Sequence, residues 1–353
     1  MMKLRDDLPA FWKSEFADVE EAMRHISKGM VSVCGHSAGG RNLYCVKYGK
    51  SNPRNPAANY SSALGAGDIT AYRSNKFPVL MIVSGIHGFE FEGIVSVLNL
   101  IHIFEHGVDL AGQPNEFLAA LPQSFQIILL PCINPDGRER VPYRTAVGVT
   151  REEFRKYDQG LWKDGTLCGW PECKRHHPIK EASSLLGGYF NDEGVNIVHD
   201  NFFHPMAPET QCLLDAAERY APDMIVQMHG HGAIGKGHLI FSTHQREELQ
   251  QKWLEIEDQY VRACADNELV VLKCRHSDSL HVEYFNIDDA LHCCCGAMVC
   301  VHESDQGVLV RPGDEEKLDR RHWIIYKKQM LFYETIARYL AEEYQNLTRK
   351  CED

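Results

Sequence analysis

His87-Gly88-Phe89-Glu90 sets an imidazole and a carboxylate three residues apart. If that segment enters a helix, both side chains lie on one turn and can face a single ion. Imidazole nitrogen and carboxylate oxygen are normal zinc ligands, and a catalytic zinc takes three protein groups while keeping one position for water. The third ligand expected is His229, because residues 224–228 read as a buried strand and His229-Gly230-His231-Gly232 emerges from its end. Open α/β sheets place their ligands at such strand ends. His231 is the less favoured substitute. An H-x-x-E pair alone is weak, since a core or surface histidine is the commoner origin of that spacing. Two further strand ends strengthen it. Asn134-Pro135-Asp136-Gly137 closes one apolar run, and Val301-His302-Glu303-Ser304 closes another, leaving a spare carboxylate at a strand terminus.

These residues need a frame, and the hydrophobic pattern supplies one. Short, nearly continuous apolar runs at residues 78–84, 125–131, 222–228, 239–242, 269–272 and 298–302 predict strands buried on both faces. Helical patterns at 92–105, 208–220 and 247–267 fall between several of them, and 315–344 carries Ile325, Phe332, Ile336 and Leu340 at helical spacing. Such alternation predicts an α/β fold: a mostly parallel or mixed twisted sheet with helices on both faces. No repeat, low-complexity tract or linker marks a cut, so residues 1–353 are expected to form a single catalytic domain. Residues 151–193 lose periodicity among Gly, Lys, Cys and His and read as an irregular insertion of functional interest. Gly35-His36-Ser37-Ala38-Gly39 spells a nucleophile elbow, which requires a helix after the serine. A strand-like run follows instead, so residues 37–40 are expected to be a hairpin turn.

Composition narrows the function class. Thirty-seven basic residues against 49 acidic ones leave a net charge of -12, which argues against a nucleic-acid partner. The longest strongly apolar stretches, at 79–83 and 127–130, fall far short of the ~18 to 20 residues that span a bilayer, so no membrane association is expected. Residues 1–15 carry charges and a proline where a secretory signal needs an apolar region, and 13 cysteines are an odd number for a disulfide framework. Both point to a cytoplasmic protein with reduced thiols. Oligomeric state is not legible.

Taken with the hairpin text Gly40-Arg41-Asn42-Leu43-Tyr44, the order of these motifs along most of the chain resembles the zinc carboxypeptidase family, the carboxypeptidase A-like metallopeptidases. The resemblance implies a zinc-dependent hydrolase cleaving a peptide or amide bond, with zinc held by His87, Glu90 and His229. In that reading a water activated by the metal attacks the carbonyl, and Glu303 acts as general base and then passes the proton to the leaving amine. The family also places an arginine shortly after N-P-D-G to steady the developing oxyanion; Arg144 is the choice here, with Arg138 and Arg140 as rivals.

The sequence departs from the family where substrate is anchored. The Asn-Arg pair that grips a C-terminal carboxylate corresponds to Val198-His199 within Gly194-Val195-Asn196-Ile197-Val198-His199-Asp200. Histidine offers no bidentate fork and carries charge only near or below pH ~6.5. Asn196 and His199 are expected to line the substrate side. The family's substrate-contacting tyrosine is missing from the text before Glu303, where His292 could donate in its place or Cys293-Cys294-Cys295 could form a wall of small residues. These changes leave two other readings: an N-acyl amino acid deacylase of the same superfamily, and a pseudo-enzyme that binds peptide without cutting it. Finally, Cys168, Cys173 and His176 could hold a second, structural zinc, although only one cysteine pair is present and buried free thiols are the simpler expectation.

Overall fold

The computed structural model describes residues 8–203, 205–234, 238–242, 244–271 and 284–352, the last seven by backbone alone. Nine strands run in chain order: β1 (Met30–His36), β2 (Asn42–Gly49), β3 (Val79–Ser84), β4 (Gln126–Leu130), β5 (Gly160–Trp162), β6 (Ser183–Leu186), β7 (Met224–Gly230), β8 (His238–Ile240) and β9 (Met298–Ser304). The α-helices are α1 (Phe16–His25), α2 (Tyr60–Gly65), α3 (Phe91–His106), α4 (Glu116–Ala120), α5 (Pro135–Arg140), α6 (Arg151–Asp158), α7 (Pro208–Tyr220), α8 (Glu247–Asp266), α9 (Ile287–Cys295) and α10 (Arg321–Glu352).

Seven strands form one sheet in the order β1-β2-β4-β3-β7-β9-β8. The central four, β4, β3, β7 and β9, are mutually parallel, while β2 and β8 join them antiparallel on opposite sides. The sheet is therefore mixed, as the sequence predicts. Side-chain alternation on β3 divides the core. Leu80 and Ile82 pack with Leu98 of α3, Trp253 of α8 and Phe332 of α10, whereas Val79, Met81 and Val83 pack with Leu213 of α7 and Leu291 of α9. Both faces are covered, which is why these strands read as continuous apolar runs. All six residues of β3 are buried.

Most predicted elements form with ends shifted by a residue or two. Ile325, Phe332, Ile336 and Leu340 are all buried, so α10 packs on the face its periodicity indicates. The hairpin at residues 37–40 also forms: Ser37 N–H donates to the Arg41 carbonyl, and the Ser37 hydroxyl donates to Asp136. Two expectations need correction. Residues 269–271 form no strand, and Leu272 lies outside the described residues; the Leu269 N–H is used to close the C-terminus of α8 on the Cys264 carbonyl. The 151–193 insertion is only partly irregular. It opens with α6, capped by the Thr150 hydroxyl, and contains the two-stranded β5/β6 sheet over a small cluster of Cys168, Cys173, Ile179 and Phe190. Among the described residues, no helix is long and apolar enough to cross a membrane.

Candidate metal centre

The centre starts where β3 runs out. Gly85 turns the chain at a positive φ of 63°, and a turn closed by Glu90 N–H on the His87 carbonyl leads into α3 with Glu90 at its N-cap. Gly88, between His87 and Glu90, has no room for a side chain: a Cβ there would lie 2.1 Å from the Gly137 carbonyl carbon. The Asn134-Pro135-Asp136-Gly137 motif thus acts as a brace. Asn134 donates to the Ile86 carbonyl and caps α5 by accepting from Gly137 N–H, while Asp136 accepts from Ser37, Gly39 N–H and Arg41 of the β1/β2 hairpin. The third residue arrives on β7, whose parallel pairing sets His229 opposite Glu303 of β9.

His87, Glu90 and His229 are buried, and one ligand atom of each lies within 4.8 Å of the others. Nδ1 of His87 is 2.7 Å from Glu90 Oε1, and Nδ1 of His229 is 2.9 Å from Glu90 Oε2. On its other side, Nε2 of His87 faces Asn196 Oδ1 at 3.2 Å, and the ring stacks on Tyr189 at 3.6 Å. The acceptor in the Asn196 contact is an amide oxygen, which favours the tautomer with its proton on Nε2 and leaves Nδ1 to present its lone pair to the centre. His231 lies outside the convergent group, edge-on to His238 at 5.3 Å.

The electrostatics suit a cation. Burial opposes ionisation of Glu90, but the two neighbouring imidazoles outweigh it and hold the carboxyl below its ordinary range. His229 is raised, against burial, by Glu90 and Glu303, so its surroundings favour positive charge. His229 Nε2 is buried without a hydrogen bond, an arrangement that costs about 1–3 kcal/mol unless another partner compensates. Two imidazoles and a carboxylate are the donor set of a three-ligand zinc site, and the residues fit that ion.

A cavity of about 560 Å³ opens over the centre, lined by His87, Glu90 and His229 and by Glu303. Glu303 Oε2 is shielded and makes no hydrogen bond. Burial, with Glu90 and Asp288 nearby, raises its pKa against the opposing pull of His229. Asp158 and Asp288 also line the cavity, each raised chiefly by burial.

The remaining sequence-derived residues divide. Asn196 and His199 line a smaller adjoining cavity of about 290 Å³, and His199 also borders the main one. Burial, with Lys174 nearby, lowers the His199 pKa to about 3, so this imidazole is neutral and does not supply the charge of an arginine. Arg144 is not brought to the cavity: its Nε lies 3.0 Å from Glu15, and the cavity lining does not include it. Neither rival replaces it. Arg138 is buried and donates to the carbonyls of Ser14, Val141 and Tyr143, and Arg140 donates to Gly187, Phe190 and Asp192. All three guanidinium groups, two on α5 and one just after it, are engaged with other segments of the chain. His292 is likewise diverted. It sits in α9 with Nδ1 2.8 Å from the Ala297 carbonyl, and the cavity wall comes from Asn286 and Asp288 at the other end of that helix instead of the three thiols.

The second metal group does not assemble. Cys168 and Cys173 are buried in an apolar cluster that raises their pKa values to about 11 and about 12, holding them as thiols. The exposed His176 packs edge-on to Trp162. Among the described residues only His87, Glu90 and His229 form a group able to hold a metal. Tyr189, Asp158 and Asp288 were not legible as cavity residues. The double glycine before Tyr189 is the available signal, because Gly188 accepts from Gly88 N–H and so pins this loop to the ligand loop.

Similarity to known proteins agrees with this geometry. A family model described as zinc carboxypeptidase matches residues 19–262. The sequence matches no curated protein. Among solved structures, a metallo-carboxypeptidase from Burkholderia cenocepacia has a TM-score of 0.58 at 13% identity, covering 93% of this chain and 69% of that one. Bovine thrombin-activatable fibrinolysis inhibitor, solved with tick carboxypeptidase inhibitor, has a TM-score of 0.56 at 13% identity, covering 95% and 100%. A metallo-carboxypeptidase from Pseudomonas aeruginosa, in complex with (2-guanidinoethylmercapto)succinic acid, has a TM-score of 0.53 at 13% identity, covering 92% and 68%. At these identities the likeness is one of fold.

Proposed function

Because the chain belongs to the zinc carboxypeptidase family, we propose that it hydrolyses a peptide or amide bond at a single zinc held by His87, Glu90 and His229. Bound there, zinc would supply Lewis acidity to a substrate carbonyl and lower the pKa of a water toward about 7. Glu303 takes the proton from the attacking water and returns it to the leaving amine. The observation that carries this assignment is the cross-strand pairing of Glu303 with the ligand His229, together with a Glu303 Oε2 that is shielded and bonded to nothing else. An acid with only a packing role would have its oxygens satisfied by neighbours. Burial raises its pKa, which favours a carboxylate that gains and loses a proton near neutrality.

Asn196 orients His87, and Tyr189 fixes the plane of its ring. Asn196 and His199 stand on the substrate side, where the neutral His199 contributes shape and at most one hydrogen bond. Glu303→Gln tests the reading. It should lower turnover of a cleavable peptide by about 10²- to 10⁴-fold while zinc content stays at the wild-type level. Equal turnover in wild type and variant would remove Glu303 from the chemistry, and no turnover by the zinc-loaded wild type would favour peptide binding without cleavage.

A further inference from the structure

The net charge of -12 predicts no attraction for anions, yet the mouth of the metal cavity is lined by Arg151, Arg155, Lys174 and Arg311. Contacts between their segments tie these cations to one another's neighbourhood. Arg151 and Arg155 are one turn apart on α6, and the bond from Arg151 N–H to the Leu309 carbonyl draws the segment bearing Arg311 alongside. Arg155 reaches the Trp170 carbonyl at 3.5 Å, and Lys174 Nζ lies 5.2 Å from the centre of the Trp170 ring. Lys174 Nζ is also 3.2 Å from the Tyr284 hydroxyl and 5.2 Å from that ring, so two aromatic side chains bracket the ammonium where the large and small cavities meet.

None of the four forms an ion pair among the described residues. Elsewhere on the chain arginines and lysines are routinely matched, as in Arg41 with Asp136 and Asp192, Arg140 with Asp192, and Arg321 and Lys328 with Asp305. The cavity's own acids do not use the rim either. The influences on Asp158, Asp288 and Glu303 come from burial and from one another, from Glu90, His229, Asp289 and nearby amides, and include no arginine or lysine. Four cations line the cavity, none is paired with a carboxylate among the described residues, and the residue standing where the resemblance puts an anchoring arginine is an uncharged histidine.

We propose that the cavity selects acidic peptides, with Arg155 and Lys174 receiving substrate carboxylates at its mouth and Arg151 and Arg311 drawing the anionic chain inward. The inference rests on the hydrolase reading for its use in catalysis, but selective binding stands independently of cleavage. Arginine grips a carboxylate through two parallel N–H donors, and the aromatic bracket keeps the lysine pre-positioned so that less rotamer freedom is lost on binding. Opposite charge at a rim also speeds encounter in a salt-dependent manner.

The test uses the zinc-loaded Glu303→Gln protein, so that turnover does not consume the probe, and measures calorimetric binding of a short glutamate peptide and its glutamine counterpart. The glutamate peptide should bind at least about tenfold more tightly, with the ratio falling as salt rises and collapsing toward one in the added Arg155→Gln/Lys174→Gln background. Lys174 is exposed and Arg155 half-buried, so folding is checked by an unchanged melting temperature; if it changes, the salt dependence of the unsubstituted rim decides. Equal binding of the two peptides, binding of neither, or a ratio untouched by the double substitution overturns the proposal. Selective binding by this protein with no cleavage of either peptide by the wild type would instead overturn the hydrolase reading and leave the acidic selectivity in place.

Discussion

Nε2 of His87 lies 3.2 Å from Oδ1 of Asn196, across 109 positions of sequence. That contact favours the tautomer of His87 with its proton on Nε2, because an amide oxygen can only accept. Nδ1 is left facing Glu90 and the centre, and the histidine needs no rearrangement to act as a ligand.

Asn196→Ala therefore should weaken zinc binding by about 10- to 100-fold, the usual effect of removing a partner that orients a ligand. Competition with a chromophoric chelator measures this directly. Asn196→Asp keeps an acceptor at the same place and should retain more of the affinity than alanine. Equal losses in both variants would show that Oδ1 does not orient His87.

Gly88 provides a test of the brace beneath the ligands. A methyl group at this position would lie 2.1 Å from the Gly137 carbonyl carbon and 2.4 Å from Arg138 N, both backbone atoms that cannot swing aside. Gly88→Ala is expected to cost roughly 3–5 kcal/mol and to lower zinc content along with stability, read by denaturant unfolding and metal analysis of the same sample. A stable variant with full zinc would mean that the loop and the N-P-D-G turn do not depend on one another.

Acid stability has a separate source in Glu105, far from the metal loop in its contacts. Its carboxylate accepts from Ser27 N–H and hydroxyl, from Lys28 N–H and from the Tyr48 hydroxyl. Burial raises its pKa, but these donors prevail and bring it from 4.5 to about 2. A carboxyl depressed on folding contributes stability that is fully present above 4.5 and is lost as pH falls through about 2. Glu105→Gln should thus flatten the loss of stability between about pH 5 and pH 2 relative to wild type, while costing on the order of 1–3 kcal/mol near neutrality. Parallel acid limbs for the two proteins would contradict this role.

The sequence carries the frame and the convergence of His87, Glu90 and His229 well because both follow short-range rules. Buried parallel strands must be apolar on both faces, and residues at their C-terminal ends must converge, which brings the His87 loop, His229 and Glu303 to one edge. The oxyanion arginine follows no such rule. Arg138, Arg140 and Arg144 share type and neighbourhood, and only long-range contacts, to residues 14, 15 and 187–192, reveal that each is engaged away from the cavity. His292 is misleading for a related reason: Asn286 and Asp289 form a capping box that starts α9, and this places the histidine at the helix end remote from the cavity wall. The rim cations lie on α6, on the insertion and on the segment after β9. A linear net charge averages them away.

The central claim is that His87, Glu90 and His229 hold one zinc on which activity depends, and elemental analysis of zinc per chain tests it most directly. Wild type should carry about one zinc, His229→Ala close to none, and Cys168→Ala/Cys173→Ala the same amount as wild type, because those thiols belong to an apolar cluster. No zinc in wild type after incubation with the metal, or a full complement in His229→Ala, would contradict the account.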